Sequence, residues 1–479
     1  MTRTVFSISV FGASLLVGSG CLFEWGSSAL AASSVQPVNE ALVSNVTGND
    51  ETSGASIQKV SGSGGSASGV LSATDKEESG KEESKSTSLD NATPKTAQVT
   101  AGKTAASESS RTVTLPDAQA GTKVPKVKSP KKKSGADNLP LTVARSPKMR
   151  RLHNKIENVL EIYYRRHLNS KEHCPWAIMH SFIAYGVDTQ VRMHRPGGRR
   201  MNAIGLLCYN GRTAGQQIFY LSDGHLRTKT GPGVQGHEGQ FLAMLAQSRV
   251  RLDYPLRVDG VEFSVSDLVE YEKTTCYTGT ELTFKLIALV HYLPVDSQWT
   301  NDRGQNWDFQ RLVQEELAQP VRGAACGGTH RLMGLSYAVR AREKQGGEFI
   351  GEWQRAKQFV EEYHKYAFSL QNRDGSFSSN WFKGRGNWGD VHRKIETTGH
   401  TLEWLVYSLP RERLTDARVV KSVGYLASLL KNNRFAEFEV GPRGHGLHAL
   451  ALYEHRVFGK PLGQRRQRFA RQNRRTAKK

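Results

Sequence analysis

Five glycines, each followed by His or Thr, carry the residues in this chain best suited to chemistry: Gly236-His237-Glu238, Gly279-Thr280-Glu281, Gly328-Thr329-His330, Gly399-His400 with Glu403, and Gly444-His445 with His448. Imidazole and carboxylate are the usual proton-transfer pair near neutral pH, their working pKa set by burial and neighbours. His237, Glu238, Glu281, His330, His400, Glu403 and His445 are therefore the candidate catalytic residues. For the threonines, capping of the following helix explains the residue type without any reaction. Three histidines at equivalent places exceed what capping needs.

A second group lies in the long connection before Gly399. Trp388, Asp390, His392 and Glu396 stand within ten residues there, and Trp388 could stack on a sugar ring while Glu396 orients His400 four residues on. With His448 they form the candidate ligand-binding set. Packing of the loop over neighbouring helices is the competing reading for Trp388.

The glycines are spaced by 43, 49, 71 and 45 residues, an internal repeat in the range of helix-pair units with one enlarged connection. Each runs into an apolar segment. Between these segments lie amphipathic ones, at Arg151 to Leu168, Trp307 to Ala318, Phe349 to Leu370 and Asp416 to Leu430. Helices of two burial types in alternation predict two layers, one inside the other. Apolar runs around Asn210-Gly211 and before Asp223-Gly224 predict a small β insertion between Arg200 and Thr230, and Leu256 to Phe263 predicts a second hairpin. A helix is expected from Ser266 to about Thr274.

Leu370-Gln371-Asn372-Arg373-Asp374-Gly375-Ser376-Phe377 resembles the Gln…Gly-x-aromatic repeat of squalene and oxidosqualene cyclases, with Phe377 where those enzymes usually have Trp. Protein prenyltransferase β subunits and complement-type thioester domains carry similar segments. The resemblance implies a mainly α protein built as an α/α toroid, an inner ring of parallel helices wrapped by an outer ring, over about Arg151 to Lys460. The whole looks like an exported bacterial family on this scaffold. The acidic Asp-rich motif of the cyclases and the Cys-Gly-Glu-Gln of the thioester domains are both missing from this sequence, so neither chemistry carries over. If the glycine turns precede parallel inner helices, their N-termini gather at one mouth and favour an anionic ligand there.

The rest of the chain differs in character. Residues 1–31 read as an export signal, with Arg3, an apolar run from Val5 to Val17 and a small-x-small cleavage pattern at Ala29-Leu30-Ala31. Cys21 offers lipid anchoring as the rival. Residues 32–146 are a Ser, Thr, Gly and Lys-rich tether too poor in apolar residues to offset the entropy of ordering. The globular domain spans 147–460 and a basic tail 461–479. Six lysines between Lys123 and Lys133 and eight Arg or Lys between Gln464 and Lys479 account for much of the formal net charge of +21. Such ends attract polyanions, including anionic membrane surfaces, or merely aid solubility. Export, to a periplasm or the outside, places nucleic acid last among these partners.

Four cysteines remain beyond Cys21. Export suggests disulfides, with Cys276 to Cys326 the pair to test, and no cofactor. Zinc is the sharper alternative, held by Cys276, Cys326, His330 and another histidine and reminiscent of the prenyltransferase metal, although no CxxC-like spacing supports it.

Three functions follow as expectations. The first is a cell-envelope binding module whose toroid mouth holds an anionic polymer or peptide. The second is a lyase or glycosidase acting on an acidic polysaccharide, since enzymes of both kinds use related barrels. A terpenoid cyclase or prenyltransferase comes third.

Overall fold

The computed structural model describes residues 141–463. The signal segment, most of the tether and most of the basic tail lie outside the described residues. Among those residues the protein is mainly helical, with α1 (Pro147–Tyr164), α2 (Pro175–Phe182), α3 (Ala203–Cys208), α4 (Gln240–Gln247), α5 (Val265–Thr274), α6 (Thr283–Tyr292), α7 (Phe309–Leu317), α8 (Thr329–Lys344), α9 (Glu352–Ser369), α10 (Val391–Ser408), α11 (Ala417–Asn432) and α12 (Val440–Phe458). No described helix is long and apolar enough to cross a membrane.

The helices fall into two burial classes. In α1, Ser146 caps the start, accepting from the Met149 N–H at 3.4 Å, and Pro147 follows at the first helical position, where its missing N–H costs nothing. Met149, Leu152, Ile156, Val159, Leu160 and Tyr163 then make one buried face. Helices α7, α9 and α11 have the same one-sided pattern. By contrast α4, α6 and α12 are buried on nearly every side. Each fully buried Leu or Phe in them contributes roughly 1.5–3 kcal/mol.

The buried class makes a cycle of contacts: α2 with α4, α4 with α6, α6 with α8, α8 with α10, α10 with α12, and α12 back to α2. Amphipathic helices pack against its members, α1 on α12, α5 and α7 on α6, α9 on α8 and α11 on α10. The Gln371…Gly375 segment ties two of these amphipathic helices together. Gln371, just past α9, donates to the Arg418 carbonyl at the start of α11 at 3.0 Å, and Gly375 holds φ +100° with Lys421 of α11 against it.

Four two-stranded antiparallel ladders decorate the helices: β1 (Gln190–Arg192) with β2 (Arg200–Asn202), β3 (Phe219–Ser222) with β4 (His225–Thr228), β5 (Pro255–Val258) with β6 (Val261–Ser264), and β7 (Gln298–Thr300) with β8 (Asn306–Asp308). The hairpins around Asp223-Gly224 and Asp259-Gly260 match the sequence expectation. The apolar run Ile204 to Tyr209 does not, because it forms α3 instead of a strand. Asn202 caps it, its side-chain oxygen accepting from the Gly205 N–H at 2.8 Å, and Asn210 ends it in a left-handed conformation at φ +49°. A short apolar run is compatible with either state, and here the cap decides.

Gly399 and Gly444 also depart from expectation. They lie inside α10 and α12, well past the helix starts at Val391 and Val440. Their role is close approach: a Cβ on Gly399 would lie 3.0 Å from Gly446 Cα, and one on Gly444 2.4 Å from the His180 carbonyl oxygen. The expected gathering of five helix N-termini at one mouth therefore fails for these two repeats.

One histidine of the outer packing sets an acid limit on the fold. His364 of α9 contacts the Ser408 hydroxyl at 2.6 Å, and burial, aided by the Arg413 charge, lowers its pKa from the ordinary 6.5 to about 4. The neutral ring is the one that fits, so its contribution is intact above pH 6.5 and is lost as pH falls toward 4. His364→Gln should flatten the fall in unfolding free energy across that window by about 1–2 kcal/mol, allowing for partial solvent screening, as read by urea titrations at stepped pH.

Candidate functional site

Histidines from five places in the chain converge where the buried helices meet. His400 of α10 and His445 of α12 have ring centroids 4.0 Å apart, and His330 of α8 lies 5.4 Å from the first and 5.2 Å from the second. His180 of α2 lies 5.5 Å from His445, and His237, three residues before α4, lies 5.9 Å from His330. The close α10–α12 and α2–α12 approaches at Gly399 and Gly444 bring these rings together. His180, His330, His400 and His445 are each 8% exposed or less.

Most of these rings are fixed through Nδ1. His180 Nδ1 is 2.6 Å from the Trp176 carbonyl, His400 Nδ1 is 2.8 Å from the Glu396 carbonyl, and His237 Nδ1 is 2.7 Å from the Glu281 carboxylate. His445 Nδ1 is 2.7 Å from one oxygen of Glu403, and His448 Nδ1 meets the other oxygen at short range. An ionised carboxylate only accepts, so both imidazoles donate to it from Nδ1. In each case Nε2 is left as the remaining ring nitrogen. His330 is the exception: neither of its buried ring nitrogens has a partner among the described residues.

The charges are sorted accordingly. Burial, with His445 beside it, drops His180 to about 3, and burial likewise holds His330 and His400 well below 6.5. Burial opposes ionisation of Glu403, but the adjacent His445 and the hydrogen bonds from His445 and His448 outweigh it and hold the carboxyl below its usual range. The centre is thus a buried carboxylate amid imidazoles, several of them neutral.

Cys326 completes the cluster. One donor atom each from Cys326, His330 and His400 lie within 4.8 Å of one another. Burial, with Glu396, Glu281 and Glu403 nearby, pushes the Cys326 thiol up to about 12. Cys326 sits in the left-handed region at φ +49°, as does Trp381 at φ +56°, and Trp381 packs on Gly327 with its ring 5.7 Å from His400. Such conformations cost of order 1–3 kcal/mol for residues other than glycine and cluster at functional sites. A second group with donor atoms within the same distance, His153, Glu157 and Glu454, joins α1 to α12 and lacks this convergence of imidazoles.

The structure brings together His237, Glu281, His330, His400, Glu403, His445 and His448 from the sequence-derived set. The others go elsewhere. Glu238 is half-exposed and faces Lys285 Nζ at 3.6 Å. Asp390 caps α10, accepting from the Arg393 N–H at 3.0 Å, and His392 packs on Phe438. Trp388 is 54% exposed, its Nε1 donating to Asn380 Oδ1 at 2.8 Å and the Arg393 guanidinium lying over its ring. Glu396 orients His400, but through its backbone carbonyl, because its carboxylate pairs with Arg393 at 2.8 Å. No disulfide joins Cys276 to Cys326, and Cys276 stays outside the metal-capable group, its thiol donating to the Glu272 carbonyl at 3.4 Å in the turn that ends α5. His180 and Trp381 were missed. Cys174-Pro175-Trp176 with His180 one helical turn on was the available signal for the first; nothing local marks Trp381.

No family model and no curated protein matches this chain.

Proposed function

We propose that this chain is an exported α/α-toroid enzyme, a lyase or glycosidase acting on an acidic polysaccharide at the histidine centre. The observation that carries the reading is Glu403, a 3%-exposed carboxylate accepting from two imidazoles beside three more. Helix capping needs none of this, whereas proton transfer needs a fixed tautomer with a nitrogen turned to substrate. The cycle of helix contacts and the α9–α11 tie through Gln371 support the toroid.

In a lyase reaction, a His445 or His400 Nε2 lone pair would take the proton α to a uronate carboxylate. The released electron pair forms the carbon–carbon double bond as the glycosidic oxygen leaves, and that oxygen takes up the proton the same imidazole has just gained, which returns the ring to its neutral form. Glu403 would hold His445 in the required tautomer, as a positioning residue. Anionic substrate is supported by the basic balance of the chain.

A recognition module that holds an anionic polymer without turnover is the second reading. It needs no reacting group to reach the polymer, and the reacting groups are closed off, with His400 2% and His445 5% exposed. Incubating the purified full chain with polygalacturonate, alginate and hyaluronan separates the two. Growth of unsaturated-product absorbance or of reducing ends supports the enzyme; binding to a polymer without either supports the module, and neither binding nor turnover removes both.

A further inference from the structure

We propose that Cys326, His330 and His400 bind one divalent transition-metal ion of zinc character, with His445 beside the remaining coordination position. The inference concerns the proposed reaction centre but stands whether or not that centre turns over a polysaccharide.

The donor set comes first. A thiolate with two imidazoles suits zinc and its tetrahedral relatives, while magnesium and calcium prefer all-oxygen cages. Zinc–sulfur and zinc–nitrogen bonds of about 2.3 and 2.0–2.1 Å put tetrahedral donors roughly 3.3–3.6 Å apart. Donor atoms already within 4.8 Å of one another need to close by at most about 1.5 Å, the scale of a side-chain rotation.

His330 is the independent witness. Its ring is 8% exposed, and both nitrogens lack a partner among the described residues, although the other rings of the cluster each have Nδ1 engaged. Buried polar atoms are normally satisfied, and leaving one unmade costs about 1–3 kcal/mol. A purely structural polar knot would have supplied an acceptor. A cation satisfies the same nitrogen without one.

The surroundings fit a ligand shell. His400 Nδ1 lies 2.8 Å from the Glu396 carbonyl, the kind of outer hydrogen bond that fixes the tautomer of a ligating histidine and leaves Nε2 for the ion. His445 has the carboxylate version of that arrangement, through Glu403 at 2.7 Å. Cys326 and His330 flank the entry to α8, and the left-handed backbone at Cys326, Gly327 and Gly328 turns the chain between them. On binding, the Cys326 thiol gives up its proton to solvent and its sulfur lone pair goes to the ion. One positive charge then remains at the three ligands, with the Glu403 carboxylate close by.

The test uses the full chain, stripped with a strong chelator and reloaded with Zn2+ or Co2+. The expected result is one tightly held ion per chain by elemental analysis. The cobalt form should show tetrahedral visible bands and a near-ultraviolet thiolate-to-cobalt charge-transfer band. Cys326→Ser should abolish that last band, and His400→Ala should weaken binding by about 100-fold or more. Cys21→Ser, Cys174→Ser, Cys208→Ser and Cys276→Ser should each keep both signatures, which assigns the thiolate even if the ligand variants fold poorly. A folded wild-type chain that takes up no stoichiometric metal, or a charge-transfer band that survives Cys326→Ser, overturns the site. Metal content is read without turnover, so a loaded chain inactive on every polysaccharide would sink the proposed reaction and leave this site standing.

Discussion

Glu316→Ala should cost about 3–5 kcal/mol of folding free energy, the range for removing one partner of a buried ion pair. Glu316 of α7 is fully buried, and its carboxylate accepts from the Leu282 N–H at 2.8 Å, the Thr283 hydroxyl at 2.5 Å and Arg331 Nε at 3.3 Å. One side chain thereby holds the starts of α6 and α8. Burial raises its pKa, while Thr283, Arg331 and the Leu282 N–H pull it down. Removing the carboxylate leaves the buried Arg331 guanidinium with its Pro320 carbonyl contact but no counter-charge, and strands two donors at the start of α6. Glu316→Gln keeps an acceptor there and should lose less. Because Arg331 follows His330 directly, the Ala variant should also loosen the histidine centre. Urea unfolding followed by circular dichroism measures the first effect, and a loss no larger than that of a surface Glu→Ala would refute it.

Gly444→Ala should destabilise by about 2–3 kcal/mol, although alanine is normally the better helix former by about 1 kcal/mol. The added methyl would sit 2.4 Å from the His180 carbonyl oxygen, a backbone atom of α2 that cannot rotate away. Helices α2 and α12 must therefore part, and the 5.5 Å His180–His445 approach must open with them. Gly424 of α11 is the control, since its nearest neighbour would be the Leu152 methyl at 3.9 Å. Gly424→Ala should gain up to about 1 kcal/mol. The opposite signs of the two changes, read in one set of urea titrations, check the close-approach explanation.

The alternation of helix types was legible because a 3.6-residue period is a local property. Phe349 to Leu370 became Glu352–Ser369, and Asp416 to Leu430 became Ala417–Asn432, shifts of one to three residues at the ends. The three-residue ladders β1–β2 and β7–β8 were not legible, since three residues carry no period. Gly399 and Gly444 were read as turns because glycine's local use and its tertiary use look alike in sequence. Only the α10–α12 and α2–α12 contacts distinguish them. The histidines were found for a related reason: polar residues at repeated positions on apolar segments stand out. Which of them meet, and that Cys326 joins them while Cys276 does not, depends on the left-handed turn before α8, which the Cys326-Gly327-Gly328 run only hints at.

The proposed reaction stands or falls with Glu403. On whichever acidic polysaccharide the wild-type chain degrades, the most direct measurement is the turnover of Glu403→Gln, with polymer affinity and folded content measured on the same sample. The expected result is at least a tenfold drop in kcat with affinity and circular dichroism little changed, because His445 loses the carboxylate that fixes its proton. Equal turnover by the two proteins would contradict a reaction centre built on this carboxylate.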